Sequence, residues 1–370
     1  MFARVLKKEG LRQGGLLLGF AAAALWLLWR PQALANGISR GLSVCSGVII
    51  PTLYPFMILA GLLTESPLCR SPGRIGAAVT RTLFGLPGCC GPAILISLVG
   101  GYPAGAIAIG RLRRQEQITT EQAQRMARFC VNGGPGFIIA TVGSGLLGSV
   151  KAGVLLFAAH AAVSVLIGLW LAKGHRRESE IIGTAAVSPP RSVAATVGDT
   201  CTALLTMCGF VVLAAAVLSL LEASGIPLYL QQLTGVYASH ISAAAAGLLE
   251  VSCGCIALAG TGEAAPFWLS LCMGWGGLSV QGQLMAAVDD RQVFGRGFRI
   301  GRLFHGAASG LLALLLFRLF PADLPTVGGQ ATALPFSVSA DSSVMLLLLS
   351  FLAMLTFSSK KTGKTERDVL

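Results

Sequence analysis

Apolar runs long enough to span a bilayer recur along this chain and leave it few ways to fold. They lie at Gly14 to Trp29, Val44 to Leu63, Phe129 to Leu147, Gly153 to Leu171, Cys201 to Leu221, Ser239 to Ala259, Leu303 to Phe320 and Val344 to Phe357. A helix of about 20 apolar residues covers a hydrocarbon core of roughly 30 Å. Each run is near-continuous in apolar character, where a barrel strand would alternate, so the spans are α-helical. Composition agrees, with 54% hydrophobic and 12% charged residues and a mean hydropathy of +0.73. A soluble domain carries roughly a quarter charged residues, and this chain cannot cover itself with a polar surface. The expected fold class is therefore all-α, a polytopic membrane protein of about 8–10 transmembrane helices.

The net charge of +12 would suggest nucleic acid in a soluble protein. Here the Lys and Arg fall in short loops between spans, the pattern of cytoplasmic loops, so the partner expected is the lipid bilayer and no nucleic acid. The ten cysteines show no regular spacing, and Cys253-x-Cys255 lacks a nearby His or second Cys pair, so no metal site is expected. At the N-terminus, Arg4, Lys7, Lys8 and Arg12 precede an apolar stretch, and Ala33-Leu34-Ala35 resembles a signal-peptidase site. An uncleaved first span is the favoured reading, because Trp26, Trp29 and Arg30 bound it like an interfacial anchor.

The same charge bias puts both termini, Arg111 to Arg128, Lys173 to Arg191, Arg291 to Arg302 and the Lys360-Lys361-Lys364 tail on the cytoplasmic side. The connections near Lys151, Glu222 to Ser239 and Pro321 to Asp341 fall on the other side. The loop carrying Arg70, Arg74 and Arg81 also reads as cytoplasmic, so Gly91 to Gly110 should enter and leave on one side. By the same logic Pro266 to Val288 should be re-entrant too. The two segments match: Ile96 to Pro103 lies without a gap on Leu269 to Gly276, and Arg125 to Phe129 matches Arg299 to Leu303. Both matches, in the same order, argue for an internal two-fold repeat, the usual construction of secondary transporters. The expected organisation is an N-terminal helix at 1–40, a first repeat at 41–172, a cytoplasmic linker at 173–199, a second repeat at 200–320, and a last helix with a basic tail at 321–370. With re-entrant segments the halves run parallel. The alternative has both broken segments crossing fully, with hairpins at Arg74 to Gly88 and Gly247 to Gly262, and gives inverted repeats.

Gly100-Gly101-Tyr102-Pro103 interrupts a helix, since Pro lacks the backbone donor and Gly permits left-handed backbone. In hydrocarbon the freed backbone groups must be buried or must line a polar cavity, and exposed helix N-termini suit an anion. Gly274-Trp275-Gly276-Gly277 is the second break. Near the breaks stand Asn132 at the start of a Gly/Pro-rich run, and Ser279, Gln281 and Gln283 at alternate positions. Those three can share a ligand only where the backbone is unwound, because i and i+2 residues diverge on a helix. Ionisable residues at membrane depth are few, and each is a candidate: Glu250 for a proton, a cation or a buried Arg, Arg128 and Arg302 for an anion, and His305, one turn after Arg302, for substrate or a proton. His160, alone in an apolar helix, reads as a packed polar residue. No P-loop, metalloprotease motif, catalytic triad or carboxylate pair is present, so neither ATP-driven transport nor an enzyme is expected, and no cofactor.

Pro51-Thr52-Leu53-Tyr54-Pro55-Phe56, Gly101 to Ala106, Asn132 to Pro135 with Phe137-Ile138-Ile139, Gly274 to Gln283, Glu250 in its Gly247-Leu248-Leu249 context and Arg302-Leu303-Phe304-His305 together resemble the YlbJ sporulation integral membrane proteins. The resemblance covers roughly residues 41 to 315. This chain reads Asn132-Gly133-Gly134 where that family commonly reads Asn-Asn or Asn-Ser before the Pro. The resemblance implies two gate-type repeats of the nucleoside-recognition group and transport of dipicolinate, a small aromatic dianion, across the outer forespore membrane. On that expectation Arg128, Asn132, Gln281, Gln283 and Arg302 meet the carboxylates, Tyr102 and Trp275 flank the ring, and Gly101, Pro103, Gly277 and Ser279 shape the breaks, with Glu250 or His305 holding a coupled proton. The other expectations are a nucleoside carrier in the cell membrane and a non-transporting scaffold for spore assembly.

Overall fold

The computed structural model describes residues 15–65 apart from 16 and 23, and residues 73–174, 192–288 and 292–322. Most of the expected linker and the expected last helix and tail lie outside them. The described residues are helical, with no strand, and five of their helices are long and apolar enough to cross a membrane. The chain is an all-α, multi-pass membrane protein.

The first long element is α1 (Pro31–Val44), a π-helical turn (Cys45–Ile49) and α2 (Ile50–Glu65). It runs antiparallel to α7 (Val193–Ala223). Small residues set the contact: Gly37 faces Ala215 and Ala216, Gly41 faces Val212, and Gly61 faces Thr196. Such residues let helix backbones approach closely where no hydrophobic effect drives them together. Ser219 Oγ donates to Ala33 O at 2.7 Å across the same seam.

After α3 (Gly73–Phe84) comes α4 (Cys90–Arg114). A straight helix of this length would hold its ends about 37 Å apart. Instead Cys89 Sγ lies 4.0 Å from Gln117 O, and Gly105 packs on Ser97. α4 is therefore a hairpin, folded at Gly101, whose φ of 79° and ψ of −169° belong to a region open essentially to glycine. Pro103 falls in the first turn of the returning arm, where its missing N–H costs nothing.

The chain then crosses the bundle through α5 (Thr120–Ala127), a non-helical stretch at Asn132 to Gly134 and a π-helix (Gly136–Leu146), and returns along α6 (Val150–Leu171). α5 opens with a capping box between Thr119 and Gln122. In π geometry Thr141 meets Thr52 of α2, their hydroxyls 2.6 Å apart.

Beyond α7 and the short α8 (Ile226–Thr234), α9 (Ala238–Leu249) and α10 (Val251–Leu258) form a second hairpin. Gly247 and Gly254 meet backbone to backbone between its arms, and Glu250, in extended conformation at φ −149° and ψ 132°, is its tip. α11 (Ala265–Trp275) and α12 (Gly277–Ala287) follow, joined through left-handed Gly276. α11 lies antiparallel on α13 (Arg296–Leu319), with Phe267 against Gly310 and Leu271 and Gly274 against Gly306. α12 continues onward until Val288 touches Gly110 of α4.

This second broken segment does not re-enter, contrary to the expectation for Pro266 to Val288. It starts beside the far part of α13 and finishes beside the end where Gly297 packs on Arg128. Its halves have separate partners, α13 for one and α4 for the other, so nothing folds them together. The ends of α4, the start of α5, Leu171 and the start of α13 gather at one end of the bundle, which carries Arg111, Arg113, Arg114, Arg125, Arg128, Arg296 and Arg299. Lys151 Nζ, bonded to Pro321 O at 2.8 Å, marks the other. The first hairpin opens to the basic end and the second to the opposite one.

Candidate functional site

The tips of the two hairpins and the breaks in the two crossing segments converge near the middle of the bundle. Gly101 lies against Gly134 in the first break, and Gly277, with φ 76°, lies against Leu249 and Glu250 at the second tip. A Cβ on either Gly134 or Gly277 would strike the backbone of the facing tip, so glycine sets how closely hairpin and crossing segment meet. Gly276 adjoins Tyr102, which joins the two assemblies.

Arg302 is the centre of this region. It is 1% exposed, held on α13 one and a half turns from the basic end. Its Nη1 donates to Asn132 Oδ1 at 3.1 Å and its Nη2 to Met273 O at 3.4 Å. Its guanidinium sits 5.7 Å from the centroid of the Tyr102 ring, a cation–π distance. The Tyr102 hydroxyl donates to the same Met273 O at 2.5 Å. Asn132 is fixed from its other side, Nδ2 donating to Phe129 O at 2.6 Å and to Ser164 Oγ at 2.9 Å. Among the described residues no carboxylate lies within ion-pair distance of Arg302. A guanidinium taken out of water without an anionic partner is costly.

Glu250 is equally buried, at 1%, and shapes the second tip. Its Oε2 accepts from Cys253 N at 2.8 Å and so caps α10, where a carboxylate also suits the positive end of the helix. Trp275 Nε1 donates to Leu248 O at 3.2 Å and ties the second break to the second tip. Of the two aromatic candidates, only Tyr102 contacts Arg302.

α12 is regularly helical, so Ser279, Gln281 and Gln283 do not converge. Gln281 shares a stripe with Val288, which touches α4, while Ser279 and Gln283 share one with Gly282, which faces Phe210 of α7. All three are buried, and Ser279 Oγ, Gln281 Nε2 and Gln283 Nε2 have no protein partner. Arg128 also stands apart from the centre. It packs on Gly297 and Gly301 and, with Thr120, Glu121, Gln124, Arg125 and Leu171, lines a cavity of about 480 Å³ at the basic end.

His305 is fully buried, and its Nε2 lies 3.2 Å from Nδ1 of His160 on α6. His160 is thus a packed polar residue whose partner is His305. A sequence signal for it exists: His160-x-x-x-Ser164 and His305-x-x-x-Ser309 are the same spacing on two spans that pack antiparallel. Met273 is the other residue the sequence did not single out, because it acts through its backbone oxygen.

No group of three or more His, Cys, Asp or Glu able to hold a metal occurs among the described residues. Hairpin tips opposed to interrupted helices thus surround a buried cation within a multi-pass membrane protein. The chain is 26% identical over 327 residues to the sporulation integral membrane protein YlbJ of Bacillus subtilis (strain 168), an overlap covering 78% of each. Over that extent the chain is similar to the YlbJ sporulation integral membrane proteins, a likeness that supports membership in that family. No family model matches it, and no solved structure does.

Proposed function

We propose that this protein is a secondary transporter of a small organic anion, with dipicolinate as its cargo, acting in sporulation. The observation that carries the reading is Arg302: a fully buried guanidinium with neutral partners only, at the meeting point of two hairpin tips and two broken helices. A carboxylate arriving there would supply the missing counter-charge and form charge-assisted hydrogen bonds. The Tyr102 ring beside it offers an aromatic face to an aromatic acid. The sporulation role follows the likeness to YlbJ, and the cargo is the one that the motif resemblance implies.

The two halves read as an inverted repeat. Each has a long span, a short surface helix, a hairpin, a broken crossing segment and a second span. In this reading Asn132-Gly133-Gly134 corresponds to Trp275-Gly276-Gly277, since Gly134 and Gly277 each face a hairpin tip, and His160 corresponds to His305. Opposed hairpins around one site suit alternating access, in which each hairpin gates its own side. The basic end is the cytoplasmic side on the positive-inside rule.

Uptake of labelled dipicolinate into proteoliposomes tests the reading. Arg302→Ala is expected to abolish uptake and binding while the protein stays inserted, and Arg302→Lys to retain part of the binding. Uptake of nucleosides instead would change the cargo. Absence of transport for both classes would favour a membrane scaffold.

A further inference from the structure

We propose that the His160–His305 pair is the proton site of this protein, and that it takes up one proton when an anion settles beside Arg302. The inference rests on the anion-transporter reading and adds to it the identity and location of the coupling group.

The geometry sets the stoichiometry. Nδ1 of His160 and Nε2 of His305 are 3.2 Å apart, so one ring donates its N–H to the bare nitrogen of the other. A neutral imidazole has one N–H and one bare nitrogen. Whichever ring donates, the pair retains one N–H and one bare nitrogen on its outer atoms, which are His160 Nε2 and His305 Nδ1. Both outer atoms are buried and have no protein partner. The pair thus accepts one proton without losing its internal hydrogen bond, and it titrates as a unit.

The surroundings set the sign of the coupling. Arg302 lies three residues before His305 and on the same side of α13. It is the charged group facing both rings. The π-helix Gly136–Leu146 brings no ionisable side chain to α6, and α11 brings only Cys272. Arg81 of α3 is exposed, as are Glu121 of α5 and Lys151, Arg296, Arg299 and Arg318 of the two spans themselves. Arg125 of α5 is bonded to Phe84 O and Gly85 O, and Arg128 is packed on the start of α13. With Arg302 uncompensated, a second positive charge beside it is repelled. An anion on Arg302 removes that repulsion, so anion and proton each favour the other, and linkage makes the effect reciprocal. The connection is also mechanical, because Asn132 bridges Arg302 to Ser164, one turn from His160. The neighbouring guanidinium and the lack of a third ligand among the described residues argue against a metal cation on the two rings.

The test is calorimetric binding of dipicolinate to the purified full chain in lipid nanodiscs between about pH 6 and pH 8, where both carboxylates of the probe stay ionised. Repeating each titration in two buffers of different ionisation enthalpy counts protons. The expected result is uptake approaching one proton per dipicolinate, with affinity rising up to about tenfold per pH unit as pH falls. In H160Q/H305Q the affinity should lose its pH dependence and the proton count should fall to zero. Dipicolinate binding without proton uptake by the unaltered protein would overturn the proposal and leave the transporter reading standing. So would an unaltered proton count in H160Q/H305Q, or in H160Q alone should the double variant fail to fold. No binding at any pH would overturn the anion reading, and the proposal with it.

Discussion

The two hairpins reach the same centre from opposite ends and turn by different chemistry. The first turns on Gly101, whose backbone angles exclude a side chain, and the turn leaves Tyr102 free to reach across to Met273 O. The second turns on Glu250, a residue with ordinary extended angles whose side chain caps the returning arm. One tip is shaped by what glycine lacks and supplies an adjacent group to the site. The other is shaped by a carboxylate that caps the returning arm. Of the two tips, the first is the one in contact with Arg302.

The contrast can be broken most severely at Gly101. Gly101→Val places a branched side chain in a glycine-only conformation and against the backbone at Gly134, for a combined cost of about 3 kcal/mol or more. The expected outcome is loss of monodisperse protein after extraction. A stable, well-folded Gly101→Val would mean that the turn is not fixed as described.

A smaller effect is expected at the second tip. Glu250→Ala removes the cap and should cost about 1 kcal/mol, read as a lowered thermal midpoint. Glu250→Gln keeps an acceptor oxygen and should recover most of that loss. If the Gln variant is as unstable as the Ala variant, the charge and not the hydrogen bond holds the tip.

The smallest change is expected for Tyr102→Phe. Met273 O keeps Arg302 Nη2 as a donor, so the loss is that of one hydrogen bond, about 0.5–1.5 kcal/mol. The ring remains under the guanidinium, and dipicolinate binding should weaken only modestly. A loss of binding as large as that expected for Arg302→Ala would make the hydroxyl a direct ligand.

The spans were legible in the sequence because a continuous apolar run has few other uses, and Gly101 was legible because Gly and Pro together rarely serve a straight helix. The second hairpin was not. Ser239 to Ala259 reads as one unbroken span, since the turn residue is neither Gly nor Pro and the carboxylate that makes the turn resembles a buried functional group. The gapless match of Ile96–Pro103 to Leu269–Gly276 sets a hairpin against a crossing segment, because it follows apolar residues that any membrane helix shares. The polar spacing His-x-x-x-Ser on α6 and α13 is the rarer pattern and points to a different correspondence. At the centre, Arg302 and Asn132 could be picked out as polar residues at membrane depth, whereas Met273 could not, because a backbone oxygen leaves no trace in residue type.

The contact between α11 and α13 bears on how motion in this molecule could be followed. Gly274, Gly306 and Gly310 bring the two backbones together with no room for an intervening side chain, so neither helix can rotate or slide without a clash. A pair of spectroscopic labels placed on their outward faces should therefore keep one separation with and without an anion bound. That separation is a built-in ruler, against which the excursions of each hairpin could be measured.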